Sequence, residues 1–145
     1  MPGIYIAAIV AATLALLVVG SFLVKGASGA ERRLYLALIL LQLPMSWLAF
    51  EYLRVPLDGV VRPLIADRGT YGFLTMFYAP LTEEPAKLWP LLLPFVWRHV
   101  RRDNAVRVAL ALGLGFGIGE IAFLASRVAA VPAMAPLPWF MFGGF

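Results

Sequence analysis

Cysteine is absent from the sequence, and histidine occurs only once, as His99. The lack of cysteine excludes disulfides, thiolate catalysis and cysteine-based metal sites. Zinc sites in proteins typically use histidine or cysteine ligands, and the long apolar runs of this chain contain neither residue. We therefore predict that the chain binds no metal ion and no other cofactor.

Charged residues are scarce as well. They make up 14% of the 145 residues, the hydrophobic share is 62% and the mean hydropathy is +0.87, whereas about a quarter of the residues in a soluble domain are charged. The sequence therefore predicts a polytopic membrane protein surrounded by the lipid bilayer. An excess of 12 Lys and Arg over 8 Asp and Glu would also suit a nucleic-acid-binding protein. The basic residues instead lie at the ends of apolar runs, where they anchor membrane spans, so we predict no nucleic-acid partner.

Four apolar runs are long enough to cross a bilayer, which takes about 20 helical residues. They predict spans at approximately residues 4–24, 34–53, 71–97 and 105–131. The third run is interrupted by Pro80, Pro85, Pro90 and Pro94. It therefore crosses either as one tilted or kinked helix or as two half-helices. The predicted fold is all-α: a single membrane-embedded helical domain, residues 1–145, with about four spans and a partial C-terminal hydrophobic segment at residues 132–145.

The distribution of basic residues between the spans predicts an orientation. The first and third connections carry Lys25, Arg32, Arg33, Arg98, Arg101, Arg102 and Arg107. The second connection and the C-terminal tail carry fewer basic residues, namely Arg54, Arg62, Arg68 and Arg127. By the positive-inside rule, this asymmetry places the first and third connections in the cytoplasm and the N-terminus outside.

Several other features have ordinary structural interpretations. Glu51 and Arg54 are three residues apart, so they are predicted to pair on one helical face. Pro44 frees a backbone carbonyl, which neighbouring groups must satisfy. Residues 54–70 are predicted to form a loop with a short helix around residues 60–65. His99 and Asp103 have an HxxxD spacing, but they lie in a basic turn that we interpret as a solvated loop.

The third run contains a charged cluster at residues 82–87, with the sequence TEEPAK. A charge at membrane depth costs about 2.5–3.5 kcal/mol on insertion scales, so such residues face protein or water and mark functional sites. Thr82 is predicted to cap a helix that restarts at Glu83. Lys87 can pair with Glu83 or with Glu84, but it cannot neutralise both carboxylates. One carboxylate is therefore left to hold or take a proton, as a general base does.

Glu120 is a second intramembrane carboxylate, in the fourth span. Phe116 and Gly113 precede it by four and seven residues and share its helical face. Gly113 and Gly117 form a small-xxx-small pair, which lets a second helix approach closely. We therefore predict that Glu120 lies beside the charged cluster and that Gly113, Phe116 and Gly117 serve packing or substrate binding. Plain helix packing remains the alternative for the glycines, and a purely structural role is the alternative for Glu120.

Together these residues resemble a family of membrane proteases. Residues 83–87 (EEPAK) are similar to the EExxK first motif of PrsW-type intramembrane proteases. Residues 115–120 (GFGIGE) are similar to the second motif, in which a polar catalytic residue follows a phenylalanine by four positions. Both motifs belong to the CPBP superfamily of CAAX prenyl endopeptidases and bacteriocin-processing proteins, and the resemblance covers residues 79–124. It implies an intramembrane endopeptidase in a prokaryotic cell membrane, acting on a membrane-protein or peptide substrate.

The resemblance also implies roles for individual residues. Glu83 would activate a water molecule for attack on a peptide bond without a metal, Glu84 and Lys87 would tune and orient it, and Glu120 would assist proton handling or substrate binding. The family carries later His-containing motifs that help to hold the oxyanion, and no such motif follows the fourth span here. We therefore expect an incomplete or inactive chain that lacks this oxyanion stabiliser.

Two other functions fit the same residues. A non-enzymatic membrane protein could bind a lipid or a partner helix through the same polar pocket. A small transporter or ion pathway is also expected to combine intramembrane Glu and Lys residues with proline-broken helices. The sequence leaves these alternatives open.

Overall fold

Three long helices form the frame of the molecule. The computed structural model describes residues 2–142, and every regular element in that range is helical. By length and apolar composition, three helices can cross a membrane: Gly3–Val24, the 36-residue helix Gly29–Leu64 and Ala105–Ala129. The prediction of an all-α membrane bundle is confirmed, with three long spans among the described residues. The last part of the predicted C-terminal segment, residues 143–145, lies outside the described range.

The first helix, α1 (Gly3–Val24), exposes most of its apolar surface. Only 6% of its most apolar window is buried, as expected of a helix that faces lipid on most sides. The chain then turns at Gly26, whose φ of 71° lies in the left-handed region that glycine adopts freely. Ser28 and Glu31 form a capping box that starts the next helix at Gly29. The first connection is therefore shorter than the predicted spans imply, because Arg32 and Arg33 belong to the helix.

The second long helix changes its winding along its length. It consists of α2 (Gly29–Gln42), α3 (Met45–Ala49), a first π-helical turn (Phe50–Arg54), α4 (Val55–Val61) and a 3₁₀ turn (Arg62–Leu64). A short break separates α2 from α3 at Pro44, which has no N–H to donate. The loop that was predicted at residues 54–70 is therefore mostly helical, and the helix near residues 60–65 is the end of this long element.

The third apolar run is divided into short pieces. They are α5 (Arg68–Thr75), a second π-helical turn (Ala79–Glu83), α6 (Glu84–Leu88), a 3₁₀ turn (Trp89–Leu92) and α7 (Pro94–Trp97). Asp67 starts α5, since its carboxylate accepts a hydrogen bond from the Thr70 N–H at 2.6 Å, and this bond lowers the pKa of Asp67. Each of the other pieces has a proline in its first two positions. The run is thus neither one kinked helix nor two half-helices, because every proline begins a new piece.

Helix α8 (Ala105–Ala129) lies at the centre of the bundle. Gly115 faces Ile39 and Gly119 faces Leu43, so residue numbers rise in the same direction along both elements and α8 is parallel to α2. Arg107 donates a hydrogen bond to the Lys25 carbonyl at 2.9 Å. The start of α8 therefore lies beside the end of α1, and these two helices are antiparallel.

The short pieces of the third run return along α8 in the opposite direction. Near the start of α8, Val96 is buried in a core with Val108 and Leu38. Further along, Lys87 contacts Phe116. Residues 87–96 of the third run therefore pass along α8 from Phe116 back to Val108, and Lys87 of the charged cluster lies beside the middle of α8.

The close contact between α8 and α2 uses a different pair of glycines from the predicted one. A Cβ atom on Gly115 would lie 2.4 Å from the Ile39 carbonyl oxygen, and one on Gly119 would lie 2.0 Å from the Leu43 carbonyl oxygen. A Cβ on Gly113 or Gly117 would meet nothing within 4 Å. The predicted packing role of Gly113 and Gly117 is wrong, because their face of α8 is turned away from α2. They line an apolar groove toward α1 instead.

Candidate functional site

Two π-helical turns face each other in the bundle, and each ends in a charged residue. Arg54 is the last residue of the first turn and Glu83 is the last residue of the second. Arg54 Nη1 lies 3.8 Å from Glu83 Oε1, so the two side chains attract each other without forming a hydrogen bond. Turns of this kind are rare and frequently occur at functional sites.

The prolines explain why both turns are wound in this way. Pro56 follows Arg54 at the second position, and Pro85 follows Glu83 at the same distance. A proline ring clashes with the carbonyl four residues earlier and offers that carbonyl no N–H. Both of those carbonyls lie inside the π-helical turns, so the wider winding relieves the same local conflict twice. The repeated spacing places Arg54 and Glu83 at the ends of matching turns.

The predicted ion pair between Glu51 and Arg54 is wrong. The hydrogen bonds of a π-helical turn run from i to i+5, so residues three apart no longer overlie one another as they do on an α-helix. Glu51 Oε1 instead lies 3.8 Å from Arg127 Nη1 of α8. The Phe50 ring contacts both arginines, with its centroid 5.8 Å from Arg54 Cζ and 5.2 Å from Arg127 Cζ.

Glu83 and Glu120 line the same polar cleft. The cleft has a volume of about 80 Å³ and lies between the two π-helical turns, α3 and α8; its lining residues are Ser46, Phe50, Arg54, Thr82, Glu83, Glu120, Phe123 and Leu124. A volume of this order accommodates a few water molecules. The Glu83 side chain is 23% exposed, and Glu120 is half-buried. The structure thus brings two carboxylates from separate membrane segments to one small space beside a guanidinium group.

Glu84 and Lys87 lie beside the cleft and do not line it. Lys87 Nζ donates a hydrogen bond to Glu84 Oε1 at 2.8 Å, and it lies 4.8 Å from the centroid of the Phe116 ring, which is within cation–π range. The Lys87 carbonyl accepts a hydrogen bond from Gln42 Nε2 at 2.6 Å. These contacts attach α6 to α2 and α8. Phe116 therefore supports Lys87, and Lys87 neutralises Glu84. Arg54 is then the cation that pairs with Glu83.

The predicted N-cap role of Thr82 is wrong. Its hydroxyl donates a hydrogen bond to the Tyr78 carbonyl at 2.7 Å. Helix α6 begins at Glu84, with Glu83 in the N-cap position and no capping side chain. A capping residue usually has an extended backbone, whereas the second π-helical turn leads into α6 without leaving the helical region. Thr82 is thus a buried residue in the lining of the cleft.

No family model matches the chain, and no match was found among curated proteins or solved structures. The geometry of the cleft is therefore the basis for a functional proposal.

His99 and Asp103 lie in the connection before α8, and neither of them lines the cleft. His99 Nδ1 is 2.5 Å from the Phe95 carbonyl oxygen, and the His99 carbonyl accepts a hydrogen bond from Asn104 Nδ2 at 2.9 Å. His99 is exposed, as a solvated loop residue is expected to be. Among residues 2–142, no group of three or more Asp, Glu or His side chains is arranged to hold a metal ion.

Arg54 is the site residue that the sequence did not reveal. Its spacing to Glu51 favoured a local ion pair, and only the fold places it next to Glu83. A usable signal was present in the repeated order of charged residue, any residue and proline at residues 54–56 and 83–85. That order predicts two similar distortions, although not that they face each other.

Proposed function

We propose that this chain is an intramembrane peptidase or a peptidase-like protein in which Glu83 activates a water molecule for attack on a peptide bond. The observation that carries the proposal is that Glu83 and Glu120 line one cleft of about 80 Å³. Peptide hydrolysis needs a base that takes a proton from water and an acid that gives a proton to the leaving amine. Two carboxylates in a cleft that holds a few water molecules can supply both groups.

The resemblance to PrsW-type proteases supports the same roles. Glu83 is the base, and Glu120 handles the proton or binds the substrate. Glu84 and Lys87 act from beside the cleft, because their ion pair and the contact of Lys87 with Phe116 hold the first turn of α6 in place. The apolar groove at Gly113 and Gly117 is available to an apolar substrate segment. The resemblance also favours a prokaryotic cell membrane as the location.

The direct test is cleavage of a fluorogenic panel of apolar peptides by the purified chain in proteoliposomes. The missing His motif predicted an incomplete or inactive chain, but the cleft combines two carboxylates with the guanidinium of Arg54, so we expect cleavage by the unmodified chain. We expect its loss in Glu83→Gln, since glutamine keeps the size of the side chain and cannot take a proton. The same vesicles are to be assayed for proton and sodium flux. Cleavage that is unchanged in Glu83→Gln would exclude the proposal, and flux that depends on Glu83 without any cleavage would support a transporter.

We infer that the basic end of the bundle faces the cytoplasm and that the N-terminus lies outside. The contact of Arg107 with Lys25 places the first and third connections at the same end, which supports the positive-inside assignment. Because the chain has no cysteine, single cysteines report the orientation. A membrane-impermeant maleimide is expected to label Gly59→Cys in intact cells and Ala30→Cys only after permeabilisation. The reverse pattern would invert the orientation.

A further inference from the structure

The cleft contains one cation and two carboxylates. Of the described residues that line it, Arg54 is the one with a positive charge. Its guanidinium carries five N–H donors, and the structure shows it within ion-pair distance of Glu83 at 3.8 Å, too far for a hydrogen bond. Arg54 therefore has donors available for a ligand in the cleft. The side chain is 39% exposed, so a ligand can reach it.

The position of Arg54 is fixed from two sides. It ends the first π-helical turn, directly before α4, and its guanidinium lies over the ring of Phe50. Phe50 in turn packs against Phe123 of α8, with the ring centroids 5.1 Å apart. The same helix carries Glu120. The arginine and both carboxylates are thus held by elements that contact one another, as a pre-organised site requires.

A structural ion pair does not explain this arrangement. Exposed ion pairs contribute little to stability, and Arg127 shows what such a pair looks like in this chain. It also lies 3.8 Å from a glutamate and over the ring of Phe50. Arg127 lies outside the cleft lining, however, whereas Arg54 is part of it. The two arginines share the distance to a glutamate and the contact with Phe50, Arg127 also lies over the ring of Phe123, and the two differ in their access to the cleft.

We propose that Arg54 binds the carbonyl oxygen of the scissile peptide bond and stabilises the negative charge that develops there. The proposal rests on the proposed function. Glu83 takes a proton from water as the water oxygen bonds to the carbonyl carbon, and the C=O π electrons move to the oxygen, which the guanidinium binds. When the tetrahedral intermediate collapses, the C=O bond re-forms and the C–N bond breaks. The nitrogen takes a proton from Glu83 or Glu120, which gives one carboxylic acid and one amine.

A phosphinic peptide tests this role without requiring turnover, because its tetrahedral anionic group imitates the intermediate. The matched control is the same apolar peptide with an ordinary amide. We expect the unmodified chain to bind the phosphinic peptide at least about 100-fold more tightly than the amide, as transition-state analogues do. In Arg54→Gln the preference is expected to fall below about tenfold, and in Arg127→Gln it is expected to remain. Arg54→Lys, which keeps the charge but not the planar fork, is expected to retain an intermediate preference and covers the case in which the glutamine variant does not fold.

Cleavage kinetics supply the second readout. Loss of one oxyanion donor costs about 10²–10³ in kcat, so Arg54→Gln is expected to lower kcat by that factor with little change in KM. Equal phosphinic preference in the unmodified chain and in Arg54→Gln would overturn the assignment, and so would the absence of any preference in the unmodified chain. If Glu83→Gln abolishes cleavage and Arg54→Gln leaves kcat unchanged, the role of Arg54 fails while the proposed function stands. If the phosphinic preference depends on Arg54 but no peptide is cleaved, Arg54 binds the anionic group as proposed while the proposed peptidase function fails.

Discussion

Replacing Gly119 with alanine is expected to destabilise the bundle, although the change adds only one methyl group. The new Cβ would lie 2.0 Å from the Leu43 carbonyl oxygen, and a backbone atom cannot rotate out of the way as a side chain can. Overpacking of this kind costs about 1–3 kcal/mol and occasionally more. We expect the variant to fall at the upper end of that range, because the whole of α8 must move away from α2. Thermal unfolding in detergent micelles, followed by tryptophan fluorescence, measures the loss.

Gly117→Ala is the matched control. Its Cβ would meet nothing within 4 Å, and alanine is a better helix former than glycine by about 1 kcal/mol. The same chemical change, two residues earlier on the same helix, is therefore expected to leave stability unchanged or to raise it. Equal effects of the two substitutions would contradict the orientation of α8 described above.

Replacing either carboxylate of the cleft with glutamine is expected to lower kcat by about 10²–10⁴, the range for loss of a general acid or base. The informative variant is the double substitution Glu83→Gln with Glu120→Gln. If the two side chains pass one proton between water and the leaving amine, they act as a unit, and the effects of such residues are strongly non-additive. We expect the double variant to be within about tenfold of the slower single variant. Single-turnover cleavage in proteoliposomes measures all three.

Glu51→Gln serves as the control for this series. Glu51 carries the same charge and pairs with an arginine at the same distance as Glu83 does, 3.8 Å in both cases, but it does not line the cleft. Its substitution is expected to change kcat by less than about tenfold, since exposed ion pairs contribute about 0–1 kcal/mol. If the losses at Glu83 and Glu120 multiply in the double variant, the two carboxylates act separately and the shared-proton scheme is wrong.

The sequence predicted those parts of the fold that depend on local composition. The bounds of α1 and α8 followed closely from long apolar runs, because a span needs about 20 mostly apolar residues. The start of α2 was placed too late. Ser28 and Glu31 form a capping box, so the helix begins before its apolar run and includes charged residues. The apolar pattern alone does not indicate such a start. The third run failed for a related reason, since four prolines give four starting points for short helices and the pattern does not say how they join.

The candidate site was predictable in part. The cost of intramembrane charge singled out Glu83, Glu84, Lys87 and Glu120 from the sequence alone. Glu83 and Glu120 line the cleft, whereas Glu84 and Lys87 do not. The ion pairs were not predictable, because Glu51 pairs with Arg127 and Arg54 with Glu83 across the bundle. Rules for residues three or four apart assume regular α-helical winding, and Arg54 lies in a π-helical turn. The face of α8 that contacts α2 was also ambiguous. Glycine occurs at every second position from Gly113 to Gly119, so two pairs with the same spacing of four lie on different faces of the helix.

The parallel packing of α2 and α8 fixes the depth of the cleft. Gly119 lies opposite Leu43, and each of these residues is about 21 Å from the start of its own helix at 1.5 Å per residue. The hydrocarbon core of a bilayer is about 30 Å thick, and Arg33 and Arg107 near the helix starts mark its edge, so the contact lies near the middle of the bilayer. Phe50 and Arg54 of the cleft follow Leu43 along the chain, so the cleft extends from there toward the surface away from the basic connections. Water and an extended peptide would have the shortest path to the cleft from that surface. In the orientation proposed above, a peptide bond near the outer surface of the membrane would be within closest reach.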